Sequence, residues 1–319
     1  MKDDKGGTGT GVAPILVFEE VSKWYGNVIG INKLSVEIGP GITGLLGPNG
    51  AGKSTFLQLA TGQLRPSQGK VTVLGQRPWN NPGLNCLIGL CPEQDAFYET
   101  MTGRQFVAFC ARLGGMTKRR ALEAAAWAIE QVGMTPNRDR AIRGYSKGMR
   151  QRTKLAQALV HNPEVLFLDE PLTGTDPVVR HELVQIISRL AAGGKTVLIS
   201  SHVLHEVQAI TKKIVLINRG RLVAEGDLRQ IRGLIDTHPH RIVLKSSASR
   251  ALAARMVHFP DVVGVELRGG AESILVETES PDVFYGRLAE VALAEGTPID
   301  EVYSDDDSLE AVFKYLVNT

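Results

Sequence analysis

The run Gly47, Pro48, Asn49, Gly50, Ala51, Gly52, Lys53, Ser54 and Thr55, entered from the strand-like segment Ile42 to Leu46, constrains this chain more than any other feature. It fits the phosphate-loop pattern, in which two glycines bracket a short turn and a lysine and a hydroxyl residue follow. Glycines let successive backbone N–H groups turn inward, toward the positive end of a helix predicted to begin near Lys53. Lys53 would reach the β- and γ-phosphates of a nucleotide. Ser54 would offer its hydroxyl to Mg²⁺, whose octahedral shell is otherwise filled by phosphate oxygens and water.

What the rest of the chain must supply is bounded by its composition. With 319 residues there is room for two domains, and 43% hydrophobic with 22% charged residues suits a globular protein. Lys and Arg total 36 against 34 Asp and Glu, a net charge of +2, so the overall balance points to no nucleic-acid partner. The basic run Lys118, Arg119, Arg120 reads as a solvated helix face. Cys86, Cys91 and Cys110 form no C-x-x-C pair and no even set, which suits a reducing compartment, and all three are expected to be small buried residues. No stretch approaches the roughly 18 apolar residues of a membrane span, and no secretory signal opens the chain. Met1 to Pro14 has no apolar face to bury and is expected to be a disordered tail.

The local pattern changes twice. From Ile15 to about Val73, short β-branched runs alternate with glycine turns, as in a sheet edge beside the phosphate-loop strand. From about Thr102 to Gly133 the period is helical. Thr102 with Gln105 makes a capping box, Phe106, Phe109, Cys110 and Leu113 share one face, and Ala121 to Val132 forms a second helix. This helical insert, about residues 93–145, gives way to the strand Val165 to Leu168, the helix Val178 to Leu190 and the strand Thr196 to Ser200, the alternation of a parallel sheet covered by helices. The pattern breaks again near Leu234 to Pro239, where a domain boundary is placed between residues 15–235 and 240–319. Beyond it the order is strand (Arg241 to Lys245), helix (Ser249 to His258), strands Val262 to Leu267 and Ser273 to Glu279, helix (Pro281 to Glu295), strand (Ile299 to Ser304) and a closing helix (Ser308 to Leu316). That is the split β-α-β-β-α-β unit. The predicted fold is α/β, a P-loop NTPase core with an antiparallel β edge and a helical subdomain, followed by a small α+β ferredoxin-like domain.

Two further motifs carry chemistry. The apolar strand ending in Asp169 and Glu170 places two carboxylates together, an arrangement that suits a cation: the first would hold Mg²⁺ and the second would act as general base toward a water. Phosphoryl transfer asks mainly for positioned charge and one oriented water. Ahead of them, Tyr145 to Arg152 puts Ser146 and Gly148 at a helix N-terminus, where an anion can be met.

With their order along the chain, these motifs resemble the nucleotide-binding subunits of ATP-binding-cassette (ABC) transporters, from about Val17 to Asp227. The resemblance implies that Tyr25 stacks on adenine, that Gly47 to Thr55 is the Walker A loop, and that Asp169 and Glu170 are Walker B. It makes Gly174 to Pro177 the D-loop and His202 the switch histidine, which would bond the γ-phosphate and orient water with Glu170. Which of His202 and Glu170 carries the proton stays open. Tyr145 to Met149 stands where the family has LSGGQ, and Ser146 and Gly148 would bind ATP held by the opposite subunit. The resemblance also assigns a Q-loop contact to the metal. Position after Pro92 favours Glu93 and residue type favours Gln94.

This chain departs from the family at several points. Tyr145, Lys147 and Met149 replace signature residues, with Lys147 a candidate to weaken the trans site, and Thr175 replaces the usual Leu of the D-loop. Such variants, and the ending Asp306 to Leu316, are similar to an exporter branch for drugs, lipids and polysaccharides. The implied protein is an ATPase using ATP and Mg²⁺ as a dimer, with a second ATP-binding subunit, on a polytopic membrane permease at the cytoplasmic face of the membrane. The alternative is a soluble cassette ATPase remodelling ribosomes or DNA, although such relatives generally carry two cassettes or a long coiled-coil insertion.

Overall fold

The computed structural model describes residues 13–227, 239–269, 273–295 and 297–304. The chain divides into two compact units, Met1–Gly226 and Asp227–Thr319. Most of the expected N-terminal tail, the boundary segment up to residue 238 and the closing helix from Ser308 to Leu316 lie outside the described residues.

In the first unit, β1 (Leu16–Tyr25), β2 (Val28–Ile38) and β4 (Gln68–Val73) make an antiparallel sheet in the order β2-β1-β4. A second sheet has six strands, and its order is β5-β6-β7-β3-β8-β9. These are β3 (Ile42–Leu46), β5 (Ile88–Cys91), β6 (Val165–Asp169), β7 (Thr196–Ser201), β8 (Lys213–Asn218) and β9 (Arg221–Asp227). Strands β3, β5, β6, β7 and β8 pair in parallel, and their near-continuous apolar runs fit a sheet covered on both faces. Strands β8 and β9 form a hairpin through Arg219 and Gly220, both at positive φ (46° and 74°), as a type I′ turn requires. Phe18 of β1 stacks on Phe56 of α1 (Lys53–Ala60) with centroids 4.1 Å apart, tying the antiparallel sheet to the helix that follows the phosphate loop.

The helical insert contains α3 (Gly103–Leu113) and α4 (Lys118–Gln131), preceded by the short α2 (Pro82–Asn85). The Thr102–Gln105 capping box is present in both directions. The buried face of α3 differs from the one expected: Gly103, Phe106, Val107, Ala108 and Ala111 are inside, while Leu113 is 73% exposed. Small residues decide this, because Ala108 and Ala111 sit in one core with Ala121, Ala125 and Ala128 of α4 and allow the helices to approach closely. Leu113, at the last turn, extends past that seam. The insert leads into α5 (Lys147–Leu159), and α6 (Pro177–Ala192) and α7 (Leu204–Gln208) complete the unit.

The second unit is a four-stranded antiparallel sheet of β10 (His240–Lys245), β11 (Val262–Arg268), β12 (Ser273–Thr278) and β13 (Glu301–Ser304), with helices α8 (Ser249–Met256) and α9 (Pro281–Glu295). Its order, β11-β12-β10-β13, with the sequence βαββαβ, is the ferredoxin-like arrangement. Alternation along the strands sends Ile242, Leu244, Ile274 and Val276 into one core with Leu252, Met256, Phe284 and Leu288 of the helices.

Candidate functional site

Parallel pairing places the carboxyl ends of β6, β7 and β3 side by side, the usual location of a ligand crevice in an open α/β sheet. Three chain segments leave the sheet there: the loop before α1, the turn after β6 and the turn after β7.

The first segment folds tightly because glycines permit it. Gly52 caps α1 at φ 106°, and a Cβ there would lie 2.6 Å from the Gly30 carbonyl oxygen. Lys53 opens the helix, and its side chain, only 7% exposed, folds back over the loop. Its Nζ donates to the carbonyls of Gly47 at 2.8 Å and Pro48 at 3.3 Å, and lies 3.4 Å from Glu170 Oε1.

The second segment carries the carboxylates. Burial pushes the Asp169 carboxyl above the usual range, while hydrogen bonds from Ser200 and Ser54 pull against that shift. Ser200 Oγ donates to Asp169 Oδ1 at 2.6 Å and accepts the Glu170 backbone N–H at 3.0 Å. Glu170 itself is held in left-handed backbone conformation, φ 47°, a strain on the order of 1–3 kcal/mol for a residue with a side chain. Its buried carboxylate receives Thr173 Oγ1 at 2.9 Å. From the third segment His202 Nδ1 lies 3.0 Å from Glu170 Oε2.

Lys53, Asp169, Glu170 and His202, far apart in sequence, are thus one connected cluster, with Ser54 bonded into it through Asp169. Ser200, which joins the two carboxylate residues, is marked in the sequence only as the end of a strand and not as a candidate site residue. Its only signal was its place two residues before His202 at the end of an apolar strand. Among the described residues no group of three or more His, Cys, Asp or Glu side chains could hold a metal ion by itself.

The remaining expected residues sit around this cluster. Tyr25 is exposed at the end of β1, its ring against Gly30 and its hydroxyl 3.3 Å from Thr55 Oγ1, so it stands beside the phosphate loop. Ser146 is the N-cap of α5, accepting the Met149 N–H at 3.3 Å, and Gly148 is buried, with the Val179 side chain where its Cβ would be. Neither is bonded to Lys53, Glu170 or His202. Tyr145, in the place of a leucine, is buried and donates to the Asn137 carbonyl at 2.7 Å. The Lys147 ammonium leans over Gly174 and occupies the space a Cβ would need there.

Glu93 and Gln94 both have exposed side chains. What fixes their loop is Lys154 of α5, a fully buried lysine whose Nζ donates to the Glu93 carbonyl at 2.6 Å and pairs with Asp95 at 3.0 Å. Arg150, one turn earlier, donates to Glu99 through its two terminal guanidinium nitrogens at 2.7 and 2.8 Å. Neither residue stood out in the sequence, since cations on a predicted helix read as solvated. The cysteines also correct an expectation: Cys91 is buried and pushed up to about 12, Cys110 is partly buried and pushed up to about 11, both by desolvation, but Cys86 is exposed. It follows α2, a single turn too short to cover it.

Comparison with known proteins gives a consistent picture. The family model described as ABC transporter matches residues 31–173. Over 306 residues the chain is 32% identical to the ABC transporter ATP-binding protein YxlF of Bacillus subtilis, covering 95% of this chain and 100% of that one. It is 34% identical over 306 residues to the daunorubicin resistance ATP-binding protein DrrA2 of Streptomyces coeruleorubidus, covering 93% of each. Among solved structures, cbiO1 from Clostridium perfringens, part of the ABC transporter complex cbiONQ, matches with a TM-score of 0.62 at 25% identity, over 70% of this chain and 95% of that chain.

Proposed function

Because the chain belongs to the ATP-binding proteins of ABC transporters, and is therefore an ATPase subunit, we propose that it drives export, with ATP hydrolysed at the cluster of Lys53, Asp169, Glu170 and His202. The observation that carries this reading is the convergence of a buried lysine, a strained buried glutamate and a histidine at three adjacent strand ends. Lys53 meets the β- and γ-phosphates, exchanging its carbonyl contacts for phosphate oxygens. Glu170 accepts the proton of the attacking water, its Oε2 aimed by His202 and Thr173. His202 also faces the γ-phosphate. Tyr25 offers its exposed ring to adenine.

A hard divalent cation fits the donor set here: the Asp169 carboxylate, desolvated and flanked by the hydroxyls of Ser200 and Ser54, offers the oxygen ligands Mg²⁺ prefers. When bound, Mg²⁺ supplies charge neutralisation at the phosphoryl oxygens. Ser54 and Asp169 would hold it, with Glu93 or Gln94 as the additional contact.

Ser146 and Gly148, at the N-terminus of α5 and unbonded to their own chain's cluster, would serve ATP held by a second ATP-binding subunit, a second copy in the simplest case. Transport by this chain would use a separate polytopic permease, with this chain peripheral at its cytoplasmic face, a reading supported by relatives described as belonging to ABC transporters. Among the described residues no helix is long and apolar enough to cross a membrane. Export is favoured by the daunorubicin resistance protein among the relatives. Action on ribosomes or DNA finds no support in these relatives, two of which are described as ABC transporter proteins and the third as a daunorubicin resistance ATP-binding protein.

The test is to purify tagged Glu170→Gln protein from solubilised membranes with ATP and Mg²⁺ and identify its companions by mass spectrometry. A polytopic membrane protein in stoichiometric amount is expected. Ribosomal proteins or nucleic acid in its place would overturn the transporter reading.

A further inference from the structure

Glu206, on α7, is a carboxylate with 4% of its side chain exposed, four residues after the switch histidine. A buried carboxylate persists only where its partners replace the water it has lost. One partner is Ser201, whose Oγ donates to Glu206 Oε2 at 3.1 Å and also accepts the Val203 N–H at 3.0 Å. Since Ser201 and Val203 flank His202, this hydroxyl grips the backbone on both sides of the histidine. The other partner is Arg180 of α6, with Nε 3.4 Å from Glu206 Oε1.

Arg180 reaches in the opposite direction as well. Its Nη2 donates to the carbonyl of Thr175, in the loop Gly174 to Pro177, at 3.4 Å. Both contacts are long, and the Arg180 Nε–H is buried with no acceptor in line. A buried donor left unpaired gains from any movement that brings an acceptor into line. A shift of the 174–177 loop would move the guanidinium, complete or break its bond to Glu206, and be felt through Ser201 at His202 and, at 3.0 Å further, Glu170.

We infer that Arg180 is a positioning residue for hydrolysis: it reads the position of the loop carrying Thr175 and, through Glu206 and Ser201, sets the orientation of His202. The inference rests on the proposed role of His202 and deepens it. Arg suits this task because its planar fork can address two acceptors at once, which the point charge of Lys cannot.

The experiment is steady-state ATP turnover by the full chain as wild type, Arg180→Gln, His202→Ala and the double variant. Arg180→Gln should lower kcat about tenfold, within the range for residues coupled through a network, and leave KM for ATP within about twofold. In the His202→Ala background the same substitution should change kcat by less than about twofold, because the route it acts through is already cut. Full multiplication of the two effects, or an unaffected kcat, would overturn the inference. Arg180→Lys guards against a folding defect. It keeps a cation beside Glu206 and should melt like wild type while retaining the kcat loss; wild-type kcat would reduce Arg180 to a counter-ion and overturn the inference too. Wild-type turnover in His202→Ala would instead sink the assigned role of His202, and this inference with it.

Discussion

In residues 1–226 the buried polar groups include Lys53, Lys154, Glu170 and Glu206, whereas in the described part of residues 227–319 they are the uncharged Ser246, Ser249 and Thr278. Left-handed backbone at non-glycine residues divides in the same way. Glu20, Lys33, Leu74, Asn80, Asn162, Glu170 and Arg219 all lie in the first unit, and none lies among the described residues of the second. Withdrawing an ion from water costs on the order of several kcal/mol before its partners offset the loss. Among its described residues the second unit keeps the Lys245–Glu301 pair half-exposed, and its nearest approach to a buried ion is the Asp261 carboxylate, 9% exposed and paired with Arg287. The first unit accepts that cost, on the helices at Lys154 and Glu206 and around the proposed nucleotide site at Lys53 and Glu170, where fixed charge in partly dry surroundings would act on a phosphoryl group far more strongly than in water. One unit is arranged around its chemistry and the other around its core.

The sharpest way to break that contrast is Glu170→Gln. The variant keeps the shape and the bonds to Thr173 and His202 in altered form but cannot accept a proton. Turnover is expected to fall about 10²–10⁴-fold, the usual range for a general base, with ATP binding retained and an ATP-stabilised dimer accumulating. Turnover near wild type would show that the buried charge is structural. The complementary test removes core from the second unit. Phe284, fully buried and edge-on to Phe259, should cost about 4 kcal/mol when cut to Ala. Calorimetry of the full chain should show the loss in a transition separate from that of the first unit, with ATP binding unchanged. A loss shared equally by both transitions would erase the division.

How much of this could be read from sequence follows from how far apart the partners lie. The phosphate loop and the Asp169-Glu170 strand end are contiguous, so pattern alone exposes them, as it does the βαββαβ order of the second unit, written in apolar runs of period two or 3.6. His202 needed its place in an ordered series. Ser200, Arg180, Glu206, Lys154 and Arg150 were silent because each acquires its role only across a fold: Lys154 meets a carbonyl 61 residues away, and Ser200 a carboxylate 31 residues away. A lone serine or a basic residue on a helix carries no mark of that. The buried face of α3 differs from the expected one because the helical period marks Phe106, Phe109, Cys110 and Leu113 as a stripe, while close helix approach selects the alanines.

Lys154 sharpens the contrast from within the first unit, since it is a buried charge outside the nucleotide cluster. Lys154→Met keeps the apolar stem but strips the Glu93 carbonyl of its donor and Asp95 of its cation. Asp95 is 42% exposed and can be rehydrated, so the loss should be about 2 kcal/mol, below that for a fully buried pair. Denaturant unfolding measures it. If turnover also falls while the lost stability is small, the loop holding Glu93 and Gln94 belongs with the chemistry, and buried charge in this unit is functional even away from Lys53.

The smallest expected effect concerns Tyr25, which tests whether the site's exposed rim contributes as its buried floor does. The Tyr25 ring is 44% exposed, lies over Gly30 and is anchored by Thr55, so truncation disturbs no core. A base stacked on it would gain about 1 kcal/mol from the ring contact, which a triphosphate chain lacking the base cannot gain. Tyr25→Ala should therefore weaken ATP by about fivefold, with tripolyphosphate affinity left within about twofold, as titration calorimetry of both ligands would report. Equal weakening of the two would mean that the substitution acts through Thr55 and the adjoining phosphate loop. Base recognition would then lie elsewhere, and the charged floor of the site would account for nearly all of the grip on nucleotide.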